Sequence, residues 1–130
     1  MRIMLDTSAY IAFLKGHQGV KQAIQWADEI NLSPVVLGEL LAGFMKGKRE
    51  DRNREILKEF MESPRVRCIA IDEETADRYA AIFSYLRDKG TPIPTNDLWI
   101  AATAMQFGLK LVTTDGHFQK VPQIITDLYE

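Results

Sequence analysis

The stretch Ile3-Met4-Leu5-Asp6-Thr7-Ser8 sets the fold reading: a short apolar run ends in an aspartate, and hydroxyl residues that favour helix starts follow. An apolar run of this length bounded by a helix-start signal reads as a buried strand. The arrangement returns near the far end of the chain, where Leu111-Val112-Thr113-Thr114 leads into Asp115 and Gly116. Both aspartates thus fall at the ends of buried strands. In open parallel sheets, ligands bind beyond the carboxyl ends of the strands, so both acids occupy the side expected for a site.

Between these two strands the pattern alternates. Ser8 to Lys15 is helical and stops at Gly16, and a second helical pattern runs from about Gly19 to Glu29 with Ile24 and Trp26 among its apolar positions. Ile30 to Ser33 reads as a strand, and Pro34 suits the first turn of the helix carrying Glu39. A charged amphipathic helix, Arg49 to Met61, precedes a strand from Val66 to Ile71. Asp72 caps a long helix that ends at Gly90. The stiff connector Thr91-Pro92-Ile93-Pro94 leads to Thr95, which caps a helix reaching Phe107 and stopped by Gly108. Lys110 to Thr113 is the next strand, and Ile124 and Ile125 form a last edge strand. Strands separated by helices imply an α/β fold: a mainly parallel central sheet with helices on both faces, in a single domain spanning residues 1–130.

Composition supports that reading. The chain has 130 residues, 46% hydrophobic and 26% charged, which excludes a disordered or fibrous protein and allows a core without disulfide or metal staples. Cys68, the single cysteine, lies in an apolar run and reads as a core residue. With His17 and His117 it cannot assemble a zinc site. No segment approaches the ~20 apolar residues that span a membrane, and nothing before Asp6 resembles a leader, so a cytoplasmic protein without membrane attachment is expected. A net charge of -2 argues against a simple nucleic-acid binder. It weighs less against a metallonuclease, whose acidic cluster supplies part of that charge.

Four acids stand among apolar or small neighbours: Asp6, Glu39, Asp97 and Asp115. Around Glu39 the helical neighbours are Val35, Val36, Ala42 and Gly43; around Asp97 they are Ile93, Pro94, Ile100 and Ala101. Both therefore point towards protein. Helix capping is the competing explanation for Asp6 and Asp97, and a turn for Asp115-Gly116, whereas neither accounts for Glu39. Carboxylates in apolar surroundings are costly to keep ionised unless a positive group joins them, and a divalent metal is the simplest such group. The pattern points to a metal-dependent hydrolase.

Leu5-Asp6-Thr7-Ser8, the apolar helix with Glu39-Leu40, Pro94-Thr95-Asn96-Asp97 followed by Ile100-Ala101-Ala102, and Leu111-Val112-Thr113-Thr114-Asp115 ending at Phe118 together resemble the PIN domain. More narrowly, the chain resembles the compact VapC-type toxins of toxin-antitoxin pairs. The resemblance covers the whole chain. It implies a single PIN-like nuclease domain acting as an Mg2+-dependent endoribonuclease, with Mn2+ as a possible alternative, and Asp6, Glu39, Asp97 and Asp115 as the acidic centre. Thr7 and Ser8 match the polar pair after the first acid, Asn96 the polar residue before the third, and Thr113 the hydroxyl residue two before the last. Trp99 stands where an aliphatic residue is more usual. The resemblance also implies a VapB-like antitoxin whose tail crosses the acidic groove and places an arginine among the carboxylates, and a homodimer. Tyr10, Phe13 and Leu14 are candidates for such contacts, with core packing as the competing explanation.

The chemistry asks for the same residue types. Hydrolysing an RNA phosphodiester brings an anionic nucleophile to an anionic centre, and a hard cation held by oxygen ligands lowers that repulsion. Asp6 and Asp97 are the expected direct ligands, with Asp115 close by or contacting through water. Glu39 is placed to orient or deprotonate water, or to hold a second ion. The basic stretch Lys46 to Arg54 reads as a solvated helix face in preference to an RNA guide. His117, near Asp115, reads as a surface-loop residue in preference to a phosphate contact, and Trp26 and Trp99 as core in preference to base-stacking platforms. A phosphatase with an aspartyl nucleophile would need a second acid where Ser8 stands, and a receiver-like module an acid pair on one loop. A housekeeping RNA-processing nuclease and a non-catalytic metal-binding interaction module are the remaining alternatives.

Overall fold

A computed structural model describes residues 1–130. Five strands, β1 (Arg2–Leu5), β2 (Glu29–Leu32), β3 (Val66–Cys68), β4 (Lys110–Thr113) and β5 (Ile125–Leu128), form one sheet in the order β3-β2-β1-β4-β5. Every pair is parallel, the last edge strand included. Six helices connect them: α1 (Thr7–Leu14), α2 (Gln18–Trp26), α3 (Pro34–Lys46), α4 (Glu50–Glu62), α5 (Glu73–Lys89) and α6 (Thr95–Phe107); a 3-10 turn covers Gly116–Lys120. No helix is long and apolar enough to cross a membrane.

The inner strands show why both sheet faces must be covered. In β1, β2 and β4 the last three residues are buried in succession, without the alternation of a half-exposed strand. The chain steps from β1 out to β3 through α1 to α4 and returns to β4 through α5 and α6, and the right-handed rule for parallel crossovers assigns these two groups of helices to opposite faces. Ile3, Met4, Leu5, Ile30, Leu32, Leu111 and Val112 are inaccessible or nearly so, and 28 buried residues form one continuous core.

The return from β3 to β4 sets the location of the crevice. The chain leaves β1 in one direction and comes back to β4 on its other side, so β1 and β4 flank the point where strand order reverses. There the helices on either side diverge and leave room beyond the strand ends. Leu5 pairs with Val112, which brings Asp6 level with Thr113.

Several local expectations are corrected. Cys68 is exposed, because β3 is a short edge strand that buries only Val66, and it ends at Cys68 well short of Ile71. Trp26 is 75% exposed, since α2 buries Val20 and Ile24 and Trp26 projects from the opposite side. Trp99 is half-buried and packs on Tyr79 with ring centroids 4.3 Å apart. Pro94, not Thr95, is the N-cap of α6, and Thr95 is its first helical residue. Asp72 does cap α5, with a reciprocal capping box to Thr75, and Gly90 ends that helix at φ 71° in the left-handed region.

Tyr10 is fully buried and packs edge-on against Phe60, so core packing accounts for it; Phe13 is half-buried against the same ring. Burial pushes the Tyr10 hydroxyl pKa up to about 12.

Leu111 lies at the centre of the sheet with no accessible surface. Leu111→Ala should therefore lower unfolding stability by about 2–5 kcal/mol. Urea denaturation at unchanged slope measures it.

Candidate active site

Each acid reaches the crevice from a different element. Asp6 follows β1 and is the N-cap of α1, its Oδ1 accepting from the Ala9 amide at 2.8 Å. Glu39 stands in α3, Asp97 in the first turn of α6, and Asp115 follows β4 and caps the 3-10 turn by accepting from the His117 amide at 2.9 Å.

Hydroxyl groups fix Asp6. Thr113 Oγ1 donates to Asp6 Oδ2 at 2.6 Å and accepts from the Asp115 amide at 2.9 Å, tying the ends of β1 and β4 together. Ser8 Oγ lies 2.8 and 2.9 Å from the two Asp6 oxygens and accepts from the Thr114 amide at 3.0 Å. Glu39 is held from both sides. Thr7 Oγ1 donates to its Oε1, and Asn96 Nδ2 to its Oε2 at 3.1 Å. All four polar residues singled out in the sequence, Thr7, Ser8, Asn96 and Thr113, contact one of the acids.

The acids also act on one another. The Asp6 carboxyl pKa is raised chiefly by burial, against the hydrogen bonds from Thr113, Ala9 and Ser8, and the charge of Asp115 pushes it the same way. Asp97 is raised by burial as well, with His117 opposing and the charges of Asp115 and Glu39 adding to the rise. The side chains therefore share one electrostatic neighbourhood. No lysine or arginine forms an ion pair with any of them; those cations pair with Glu29, Glu50, Asp88 and Asp127 instead.

The sequence reading missed one member. His117 is not a bystander on a loop: its Nδ1 lies 3.0 Å from Asp97 Oδ2 and 3.2 Å from Asp115 Oδ1. The signal was the spacing Asp115-Gly116-His117, because an aspartate that caps a tight turn folds the residue two positions on back towards its own carboxylate. Ligand atoms from Asp97, Asp115 and His117 all lie within 4.8 Å of one another. A donor set dominated by carboxylate oxygens, without thiolate, fits a hard divalent cation. The basic stretch is divided: Arg54 pairs with Glu50 along α4 at 2.9 Å, while Arg49 and Asn53 line the same cleft as Lys15, Thr7 and Glu39.

Fold and site together define a parallel α/β domain with an acid-lined crevice at its topological switch point. The PIN domain family model matches residues 3–124. The chain belongs to the PIN domain family. It is 30% identical over 115 residues to ribonuclease VapC5 of Mycobacterium tuberculosis, covering 88% of this chain and 84% of that one. Ribonuclease VapC4 of the same organism is 31% identical over 96 residues, 74% of each chain. Among solved structures, VapBC2 from Rickettsia felis bound to a DNA fragment from its promoter superposes with a TM-score of 0.88 at 28% identity, covering 100% of both chains.

Raised carboxyl pKa values carry a stability consequence with a defined sign. A carboxyl whose folded-state pKa lies above its unfolded value, ordinarily near ~4, costs stability while ionised, and the cost is relieved as pH falls through the folded value. With chelator present, Asp97→Asn should melt above the wild type at neutral pH, and the difference should shrink on acidification towards the ordinary carboxylate range. Melting curves across pH report it. A gap that widens in acid would contradict the assignment.

Proposed function

We propose that this chain is a metal-dependent endoribonuclease of the VapC toxin type, its residues 1–130 forming one nuclease domain. The observation that carries this reading is the convergence of Asp6, Glu39, Asp97 and Asp115 with no lysine or arginine ion-paired to any of them. The names of its relatives support ribonuclease activity and a toxin role.

In this reading Asp6, Asp97 and Asp115 hold Mg2+ or Mn2+. The bound cation would neutralise the carboxylates, draw in the phosphodiester and acidify water. Asp6 is preset for that task, because Thr113, Ser8 and the Ala9 amide fix both of its oxygens. Glu39 is the proton acceptor for the attacking water. Thr7 and Asn96 engage one oxygen each, which fixes the plane of its carboxylate and leaves its remaining lone pairs for that proton. Lys15 and Arg49, beside Glu39 in the cleft, give the RNA backbone cations on the approach to a negatively charged centre.

The partner in this reading is a VapB-like antitoxin. The cleft next to Glu39 is floored by Ile11, Leu14, Leu40 and Phe44, which suits an apolar segment whose basic end reaches the acids. The structural relatives solved as VapBC complexes support the same partner, and a homodimer completes the reading.

Expression of the chain in a host without antitoxin should arrest growth and fragment RNA, and Asp6→Ala should abolish both. Indistinguishable growth and RNA profiles would overturn the toxin assignment. Glu39→Gln separates the roles of the acids. Its cleavage rate should fall by about 10²–10⁴-fold, the range for a lost general base. Its melting temperature should still rise with millimolar Mg2+ as in the wild type, whereas Asp97→Asn should largely lose that rise.

A further inference from the structure

The geometry points to His117 as a nitrogen donor to the metal, giving the site a preference for first-row transition ions, with Mn2+ as the probe, over Mg2+. This rests on the metal-site reading above and goes beyond it, because it adds a nitrogen donor that the four acids do not supply. The imidazole does not hang at the rim. Its Nδ1 faces Asp97 Oδ2 at 3.0 Å and Asp115 Oδ1 at 3.2 Å. The ligand atoms of Asp97, Asp115 and His117 all lie within 4.8 Å of one another, close enough to share one ion, and the 3.0 Å contact is a hydrogen bond that the ion would replace.

The chain holds the ring there. Asp115 accepts from the His117 amide at 2.9 Å, and the next residue, Phe118, is fully buried and anchors the turn in the core. The same turn thus fixes a carboxylate and an imidazole against the acid at the start of α6. Facing two carboxylate oxygens, Nδ1 carries a hydrogen that it donates to Asp97 Oδ2; a bound cation would take the place of that hydrogen, leaving a neutral ring protonated at Nε2 with its Nδ1 lone pair on the ion. Mg2+ favours oxygen ligands and retained water, and gains little from such a donor. Transition ions accept imidazole readily.

The test uses the whole protein with Mn2+ and Mg2+ as separate probes. Pulsed electron paramagnetic resonance of the Mn2+-loaded wild type should show coupling to a directly bound imidazole nitrogen. The coupling should vanish in His117→Gln and persist in His17→Gln, whose ring caps α2. In calorimetry His117→Gln should weaken Mn2+ by about 10-fold or more, the scale of loss at a metal-site partner, while changing Mg2+ by less than about 3-fold. The His117 side chain is 44% exposed, so the variant should fold, and circular dichroism verifies it. A Mn2+-loaded wild type without nitrogen coupling would overturn the donor assignment and leave the nuclease reading standing, as would equal weakening of both ions. Failure of the wild type to bind either ion would remove the metal-site reading itself, and the inference with it.

Discussion

Negative charge gathered at one end of the sheet, with no lysine or arginine ion-paired to it, is the constraint around which this structure is organised. Asp6 and Asp97 are largely withdrawn from water, and each feels the charge of Asp115. Apolar side chains in place of such groups would be more stable in a domain whose net stability amounts to only about 5–15 kcal/mol. The fold holds them with hydroxyl and amide donors instead. Thr113, Ser8, Thr7 and Asn96 supply hydrogen bonds without supplying positive charge, so the carboxylates are oriented while their electrostatic demand for a cation is left intact.

The topology makes that concentration possible in a small domain. Residues separated by 107 positions, Asp6 and Thr113, meet because β1 and β4 are neighbours at the switch point. Parallel pairing points all strand ends the same way, so β1 and β4 deliver an acid to the same crevice. α6 then enters from the opposite face and brings the first-turn Asp97 towards them. The all-parallel sheet and the shared site are consequences of the same connectivity.

How much of this was legible in the sequence depended on whether the signal was local. The buried strands, the Pro34 and Asp72 helix starts and the Gly16, Gly90 and Gly108 stops all depend on backbone conformations that neighbouring residues dictate, and all were read from the sequence. The inward bearing of Glu39 and Asp97 followed from apolar neighbours on the same helical face. Cys68 and Trp26 were misread for a common reason: an apolar residue in an apolar run looks buried, but its exposure depends on whether another element covers it. Nothing covers the outer side of β3 at Cys68 or the outer face of α2 at Trp26. His117 was read as a surface-loop residue because its contact is with Asp97, which is 20 residues away and on another element.

Capping and site chemistry, which competed as explanations of the aspartates, coexist in the structure because a carboxylate has two oxygens and about four lone-pair directions. Asp6 uses Oδ1 for the Ala9 amide and keeps Oδ2 with Thr113 on the crevice side. Asp115 uses Oδ1 for the His117 amide, which leaves Oδ2 outside the cap. Asp97 lies in a first helical turn, where unpaired amides favour an anion. The helix starts thereby do what the hydroxyl groups do: they steady anionic carboxylates with dipoles in place of counter-charges. A helix cap is rigid because its backbone partner is rigid, so the same hydrogen bonds that start α1 and the 3-10 turn also fix the positions of the acids. Stability and function converge on the same atoms, and the residues that terminate the strands are for that reason the ones that build the site.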